Sequence, residues 1–261
     1  MRRAGFGFWE LFLVAAFAAL VTWTARGPRD RPVWFVNPDW EGELAATYGA
    51  ERFSSGLEEY LVRRFFNDLR AGVFVDVGAS DAMKGSNTYR LERDFGWSGV
   101  AVDADAAVAP SYKVRPRTRL VLAFVAATDG GTALLHKGEA GSSSGQRSFT
   151  EQFGGVSATA EVPRRSLQSI LDESRVGLID FLTMDIELGE PAALQSFAID
   201  KHRPRLVCIE AHRPTRQWIL NYFTRHGYVL VADYLLADEL NLWFRPLEPL
   251  EPGPIPSLPE S

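Results

Sequence analysis

Apolar residues in this chain gather into short, nearly continuous runs, separated by stretches in which they recur every three or four positions. The clearest pair is Gly72–Ser80 (Gly-Val-Phe-Val-Asp-Val-Gly-Ala-Ser) and Gly99–Asp105 (Gly-Val-Ala-Val-Asp-Ala-Asp), β-branched runs ending at the carboxylates Asp76 and Asp103. Apolar runs of four to eight residues bounded by small residues predict parallel strands covered on both faces. Similar runs predict strands at Arg119–Val125, Ile179–Asp185, Arg205–Glu210, Tyr228–Ala232 and Leu240–Phe244, with a short edge strand at Thr132–His136. Helical spacing appears between them. Leu57, Tyr60, Leu61, Phe65 and Leu69 predict a helix over Ser54–Leu69 with Ser54 or Ser55 as its N-cap, and Ser86–Phe95 reads as a second. Further helices are predicted from a Ser166 cap to Leu171, over Pro191–Phe197, and over Thr215–His226 closed by Gly227. Gly138–Gly155, rich in Gly and Ser, reads as a mobile surface loop. Strands alternating with helices, closed by a final strand pair, predict one doubly wound α/β domain around a mostly parallel, seven-stranded sheet.

Composition limits this picture to one domain. With 261 residues, 46% of them hydrophobic, the chain can bury a single sizeable α/β core. The expected organisation is a membrane anchor at 1–27, a linker at 28–52 containing Pro28, Pro32 and Pro38, a catalytic domain at 53–246 and a Pro-rich tail at 247–261. The anchor is read from Gly5–Trp23, apolar except for Glu10 and preceded by Arg2 and Arg3. About 19 residues at a 1.5 Å rise span roughly 28 Å, close to the bilayer's hydrocarbon thickness. Trp9 and Trp23 would sit at the two interfaces. A net charge of −5 gives no basic field to attract nucleic acid, and none is expected as a partner. The lone Cys208 lies inside an apolar run and reads as a core thiol.

Strand, small-residue turn, helix, strand, acid is the layout of a nucleoside-binding βαβ unit, the second acid accepting ribose hydroxyls. The turn Gly78–Gly85 lacks the remaining glycines of a dinucleotide fingerprint and carries Asp81 inside it. An inserted carboxylate is a poor neighbour for a pyrophosphate and a better one for a cation. Lys84-Gly85-Ser86 also lacks the glycine register of a phosphate-binding P-loop. S-adenosylmethionine, with a sulfonium, an ammonium and no phosphate, matches such a turn.

Phe74–Asp81, Gly85–Glu92 and Gly96–Asp103, followed in order by Val162–Asp172, Ile179–Glu190 and Arg203–Glu210, resemble the FkbM-like family of S-adenosylmethionine-dependent methyltransferases. The resemblance covers roughly residues 70–212. It implies a class I methyltransferase-like (Rossmann-like) fold and methylation of a hydroxyl on a sugar or secondary metabolite. Three places depart from the family pattern: Ser80 stands where Asn is usual, Ala82 where the second Gly is usual, and Ile186–Glu190 where the family tends to Val-Glu-Gly-Ala-Glu.

On this resemblance, Gly78 and Ala79 form the turn beneath the cofactor's methionine, Asp76 braces the loop and Asp103 takes the ribose. Ser86 and Asn87 are expected near the cofactor, although helix capping alone could explain such residues. Ala127 and Thr128, just past the third strand, are expected to flank adenine. Transfer to an alcohol needs a group that removes its proton. The strand-end residues Asp185, Glu187 and His212 are the expected catalytic set, with Glu190 and Glu210 nearby; His212 is tuned for work near neutral pH. The acids of Asp185–Glu190 could also hold a divalent cation, but carboxylates are favoured at helix N-termini in any case, and no metal is assigned. The expected protein is a single-pass membrane O-methyltransferase facing the cytosol, acting on a small-molecule or glycan acceptor. The alternative is a membrane-tethered binding scaffold that keeps the fold without the chemistry.

Overall fold

A computed structural model describes residues 39–138, 143–152 and 155–248. The expected anchor at 1–27 and nearly all of the Pro-rich tail lie outside the described residues. Among the described residues, no helix is long and apolar enough to cross a membrane.

Seven strands form the main sheet: β1 (Val73–Val77), β2 (Ser98–Asp103), β3 (Thr118–Leu122), β8 (Phe181–Met184), β9 (Leu206–Glu210), β10 (Tyr228–Leu230) and β11 (Asn241–Pro246). Their order is β10-β11-β9-β8-β1-β2-β3. Only β11 runs antiparallel, slotted between β9 and β10. This is the expected mostly parallel, doubly wound sheet. Its strands are apolar throughout because both faces are covered. Val75, Val77, Val100, Val102, Leu182, Met184, Val207 and Ile209 form a core on one side with Leu167, Leu171, Leu194 and Phe223. Alternate residues Phe74, Phe181, Leu206, Cys208 and Trp243 face the other side, where they meet Tyr60, Leu61, Phe66 and Trp97. Cys208 is the buried thiol expected, 1% exposed. The chain winds one way through β1, β2 and β3 and the other way through β8 and β9, so the crevice between β1 and β8 is the switch point where such sheets bind ligands.

Helix starts depart from the sequence patterns in both directions: those expected at Ser54 and Ser86 begin later, at Glu58 and Tyr89, and those expected at Pro191 and Thr215 begin earlier, at Glu190 and Arg213. The first is α1 (Trp40–Tyr48), inside the segment expected to be linker; its Leu44 is buried in the second core and Tyr48 stacks on Tyr60. α2 spans Glu58–Phe66, and α3 spans Tyr89–Phe95. Ser54 does not cap α2 in the usual position, but its hydroxyl accepts from the Glu59 N–H. Ser166 caps α5 (Leu167–Glu173) as expected, accepting from the Ser169 N–H.

A smaller, four-stranded sheet was not anticipated. Its order is β4 (Phe124–Ala126), β7 (Val156–Ser166), β5 (Thr132–Gly138) and β6 (Ser143–Ser144). The run read as one strand, Arg119–Val125, is broken at Ala123: β3 stays in the main sheet and β4 leaves to pair with β7. Part of the Gly/Ser-rich segment expected to be mobile is ordered as β6 and α4 (Arg147–Gln152).

Candidate functional site

The turns after β1, β2 and β8 enclose a cavity of about 590 Å³, in the range of small-molecule sites. Gly78 lies at its floor with φ +84°, and a Cβ there would stand 1.7 Å from the Asp185 carbonyl oxygen. Only glycine lets the β1 turn sit against the end of β8. The Gly78 and Ala79 N–H groups both donate to the Val102 carbonyl, at 2.8 and 3.1 Å, closing the turn onto β2. Asp103, at the tip of β2, accepts from the Ser80 N–H (2.8 Å) and the Asp105 N–H (2.7 Å), and lines the cavity. Burial raises its carboxyl above the usual range, against the lowering effect of these N–H groups.

Asp76 is buried in β1 and points to the α3 side of the sheet. Its Oδ2 accepts from the Thr88 hydroxyl at 2.8 Å. Burial pushes its carboxyl up to about 6, with the nearby charges of Asp103 and Asp185 adding to the shift. The next layer is Arg115, whose side chain is 1% exposed and paired with buried Glu92. Arg115 donates to the Ala82 carbonyl (2.9 Å) and the Thr88 hydroxyl (3.1 Å), and so fixes the whole β1–α3 loop. Nothing in the sequence distinguishes Arg115 from Arg117 and Arg119 beside it.

Asn87 lines the cavity and its amide donates to the Thr183 hydroxyl at 3.1 Å. Ser86 is 2% exposed and its hydroxyl accepts from the Thr88 and Tyr89 N–H groups, so capping accounts for it rather than a place on the cavity wall. Ala127 and Thr128 are also off the wall. With the main-sheet strand ending at Leu122, the residues that flank the cavity are Ala123, Phe124 and Val125. Asp81 does border the cavity, but its Oδ1 is used locally, accepting from the Met83 and Lys84 N–H groups, which hold its carboxyl below the usual range. Ala82 is fully buried against Ala79, Ala101 and Tyr112, so its methyl group packs into the protein and leaves the cavity clear. Ser80 adopts φ +49°, a left-handed conformation that Asn tolerates better than Ser. The usual family residue at this position therefore has a backbone reason.

The acids expected to do chemistry converge on the β8 side of the cavity, across Gly78 from Asp103. Asp185 and Glu187 line the cavity after β8. Behind them, His212 Nε2 lies 3.0 Å from Glu210 Oε1 and 3.3 Å from Glu187 Oε2. Glu187 does not stand at a strand end, as the sequence suggested. β8 ends at Met184, and Glu187 and Leu188 turn through left-handed backbone, φ 54° and 77°. The turn is held from both sides. The Ser144 hydroxyl donates to the Glu187 carbonyl (2.8 Å), and buried Glu190 accepts the Ile186 N–H (3.0 Å). Phe149 of α4 packs edge-on against the His212 ring, 5.0 Å between centroids. Ser144 and Phe149 both come from the segment expected to be a loose loop. Burial, reinforced by neighbouring carboxylates, raises Glu190 to about 7 and carries Glu210 far above the ordinary carboxylate range; burial also raises Asp185. The other histidines stand apart: His202 is buried on the Gly177 carbonyl, His136 contacts Thr159 and His226 faces Asp200.

The Methyltransferase FkbM domain matches residues 76–230, more than half of the chain. The chain belongs to the FkbM methyltransferase family. Among solved structures, it is similar to the FkbM methyltransferase of Methylobacillus flagellatus, at 15% identity and a TM-score of 0.44, covering 78% of this chain and 57% of that one. It is also similar to a precorrin-6y C5,15-methyltransferase from Geobacter metallireducens (12% identity, TM-score 0.42, 69% and 77% covered). The METTL16 methyltransferase domain matches at 10% identity and a TM-score of 0.43, with 73% and 66% covered. No curated protein matches the sequence. S-adenosylmethionine is the cofactor expected of this FkbM chain. The cavity fits it: the strand-tip carboxylate of Asp103 faces the cavity, and the wall beside the turn carries Asp81 and Asp105 rather than a phosphate-binding glycine loop.

Proposed function

We propose that this FkbM protein transfers a methyl group from S-adenosylmethionine to a hydroxyl of a sugar or other small-molecule acceptor. The observation that carries the reading is one cavity with two chemically distinct ends, Asp103 at one and Asp185 and Glu187, backed by His212, at the other, with Gly78 between them. Bound S-adenosylmethionine supplies a methyl group on a sulfonium, open to in-line displacement by an oxygen. Asp103 keeps unused lone pairs for ribose hydroxyls while it ties the β1 and β2 loops together through Ser80 and Asp105. Asn87, anchored on Thr183, and Phe124 also line the cavity. At the acceptor end, the Asp185–Glu187–His212 group orients the hydroxyl and receives its proton. The oxygen–carbon bond forms as the carbon–sulfur bond breaks, and the thioether product leaves. Positioning accounts for most of such catalysis, and the base for a further factor of roughly 10²–10⁴.

The apolar stretch Gly5–Trp23 supports a membrane-held protein, with the catalytic domain on the cytosolic side where the cofactor is made and a lipid-linked or membrane-proximal glycan as acceptor. The buried methyl of Ala82 weighs against the scaffold alternative, because the departure from glycine takes no room from the cavity. The test is calorimetric titration of S-adenosylhomocysteine into the full chain in detergent, followed by incubation with methyl-labelled cofactor and membrane glycolipid fractions. Saturable binding, lost in Asp103→Ala, and label in an alkali-stable ether are expected. Absence of binding by the wild-type chain refutes the reading; binding without transfer to any fraction returns it to the scaffold.

A further inference from the structure

We propose that Glu187, Glu210 and His212 form a divalent-cation site at the acceptor end of the cavity. The cation's role in turnover rests on the methyl-transfer reading; its binding does not. Three donor atoms, one from each residue, lie within 4.8 Å of one another. The separations from His212 Nε2, 3.0 Å to Glu210 and 3.3 Å to Glu187, match the edge of a coordination polyhedron. Ligands about 2.1 Å from a metal and at right angles to each other stand about 3 Å apart.

The electrostatics point independently to a missing positive charge. Glu210 is 8% exposed, its Oε2 meets no hydrogen-bond donor, and its carboxyl faces that of Asp185, a contact that needs either a shared proton or a cation. An ionised carboxyl in that position is costly unless something cationic reaches it. Asp185 and Glu190 add two more carboxyls to the same neighbourhood, and among the described residues no Lys or Arg pairs with Asp185, Glu190 or Glu210. The left-handed turn at Glu187 and Leu188, clamped by Ser144, then acquires a purpose: it turns the Glu187 carboxylate back toward β9 instead of into the strand's own line.

Two carboxylates and one imidazole suit Mn²⁺, Fe²⁺ or Mg²⁺ rather than a thiolate-seeking metal. Three protein ligands leave positions open, and the open side is the cavity that Asp185 and Glu187 line. The acceptor class that fits is one offering two adjacent oxygens, such as a vicinal diol or a hydroxyl beside a carbonyl. The hydroxyl to be methylated would bind the cation and lose its proton to Asp185, and its oxygen would bond to the methyl carbon as the carbon–sulfur bond breaks to release the thioether. Within the proton-accepting group assigned above, the cation site gives the metal to His212 and Glu187 and leaves the proton to Asp185.

The experiment uses the full chain in detergent, extracted with EDTA and titrated with Mn²⁺ while the electron paramagnetic resonance of free Mn²⁺ is followed, with S-adenosylhomocysteine binding measured on the same sample. One saturable Mn²⁺ per chain is expected, weakened at least tenfold in both Glu210→Gln and His212→Asn, with S-adenosylhomocysteine binding retained as evidence of an intact fold. No saturable Mn²⁺ signal in a wild-type sample that binds S-adenosylhomocysteine overturns the site and leaves the methyltransferase reading standing. Mn²⁺ binding unchanged in both variants overturns it as well. Mn²⁺ binding in a chain that never binds S-adenosylhomocysteine supports the cation site and removes the methyltransferase reading instead.

Discussion

Asp76 offers a direct measurement of what the cofactor-turn architecture costs the fold. Its carboxyl is 5% exposed and burial raises it from an ordinary 3.8 to about 6. A raised acid pKa means that the folded state holds the proton more tightly than the unfolded chain does. The penalty is therefore absent below about pH 3.8, grows as pH rises toward 6, and is complete above that. Two pKa steps correspond to about 3 kcal/mol, of which about 2 kcal/mol develops between pH 4.5 and 7.5. Asp76→Asn removes the charge and keeps an amide oxygen to accept the Thr88 hydroxyl, which now donates at 2.8 Å. Urea unfolding of wild type and variant across that pH range gives a difference in which every other carboxylate cancels. The variant should gain on the wild type by about 2 kcal/mol from pH 4.5 to 7.5, and the gain should level off near pH 7. A difference that stays flat, or that grows as pH falls, refutes the assignment of Asp76 as a desolvated acid.

Three further substitutions test the surrounding structure. Gly78→Ala places a methyl group 1.7 Å from the Asp185 carbonyl oxygen in a left-handed turn, so stability should fall by roughly 3 kcal/mol or more and S-adenosylhomocysteine binding should disappear in calorimetry. Wild-type melting would show that the β1 and β8 ends are not in contact. Arg115→Met leaves Glu92 buried without its partner and should cost about 3–5 kcal/mol, while replacing both members by apolar residues should restore much of the loss in a chemical-denaturation cycle. Ser80→Gly relieves the φ +49° backbone and should raise stability by roughly 0.5–1 kcal/mol, seen as a melting point a few degrees higher; a lower one would mean that the Ser80 side chain is needed there.

The chain itself determined the seven-stranded sheet and the Gly78–Asp103 side of its cavity. Each main-sheet strand is covered on both faces, so its apolar run is continuous and stands out from its surroundings, as Gly72–Ser80 and Gly99–Asp105 do. That Asp76, Gly78, Ala79, Asn87 and Asp103 line one cavity was legible because the β1 turn obliges a glycine and the acids stand within or at the end of apolar strand runs. The second sheet was not. β7 alternates Val156, Ala158, Ala160 and Val162 with polar residues, a period-2 pattern that was present in the sequence but carried by weakly apolar alanines. The break at Ala123 is decided by pairing with β7, some 40 residues on, and it puts Ala123–Val125 on the cavity wall in place of Ala127 and Thr128. The tertiary structure also settled Ser86, whose hydroxyl is taken by helix N–H groups, and α1, whose Leu44 finds a core that no local pattern announces. The cluster of Asp185, Glu187, Glu210 and His212 depended on it most. Glu187 meets His212 only because Ser144, 43 residues away, and Glu190 hold a left-handed turn between β8 and α6 (Glu190–Gln195). Local periodicity records which face of an element is buried; it does not record which distant backbone carbonyl a hydroxyl will reach, and that contact is what assembles the acids of this site.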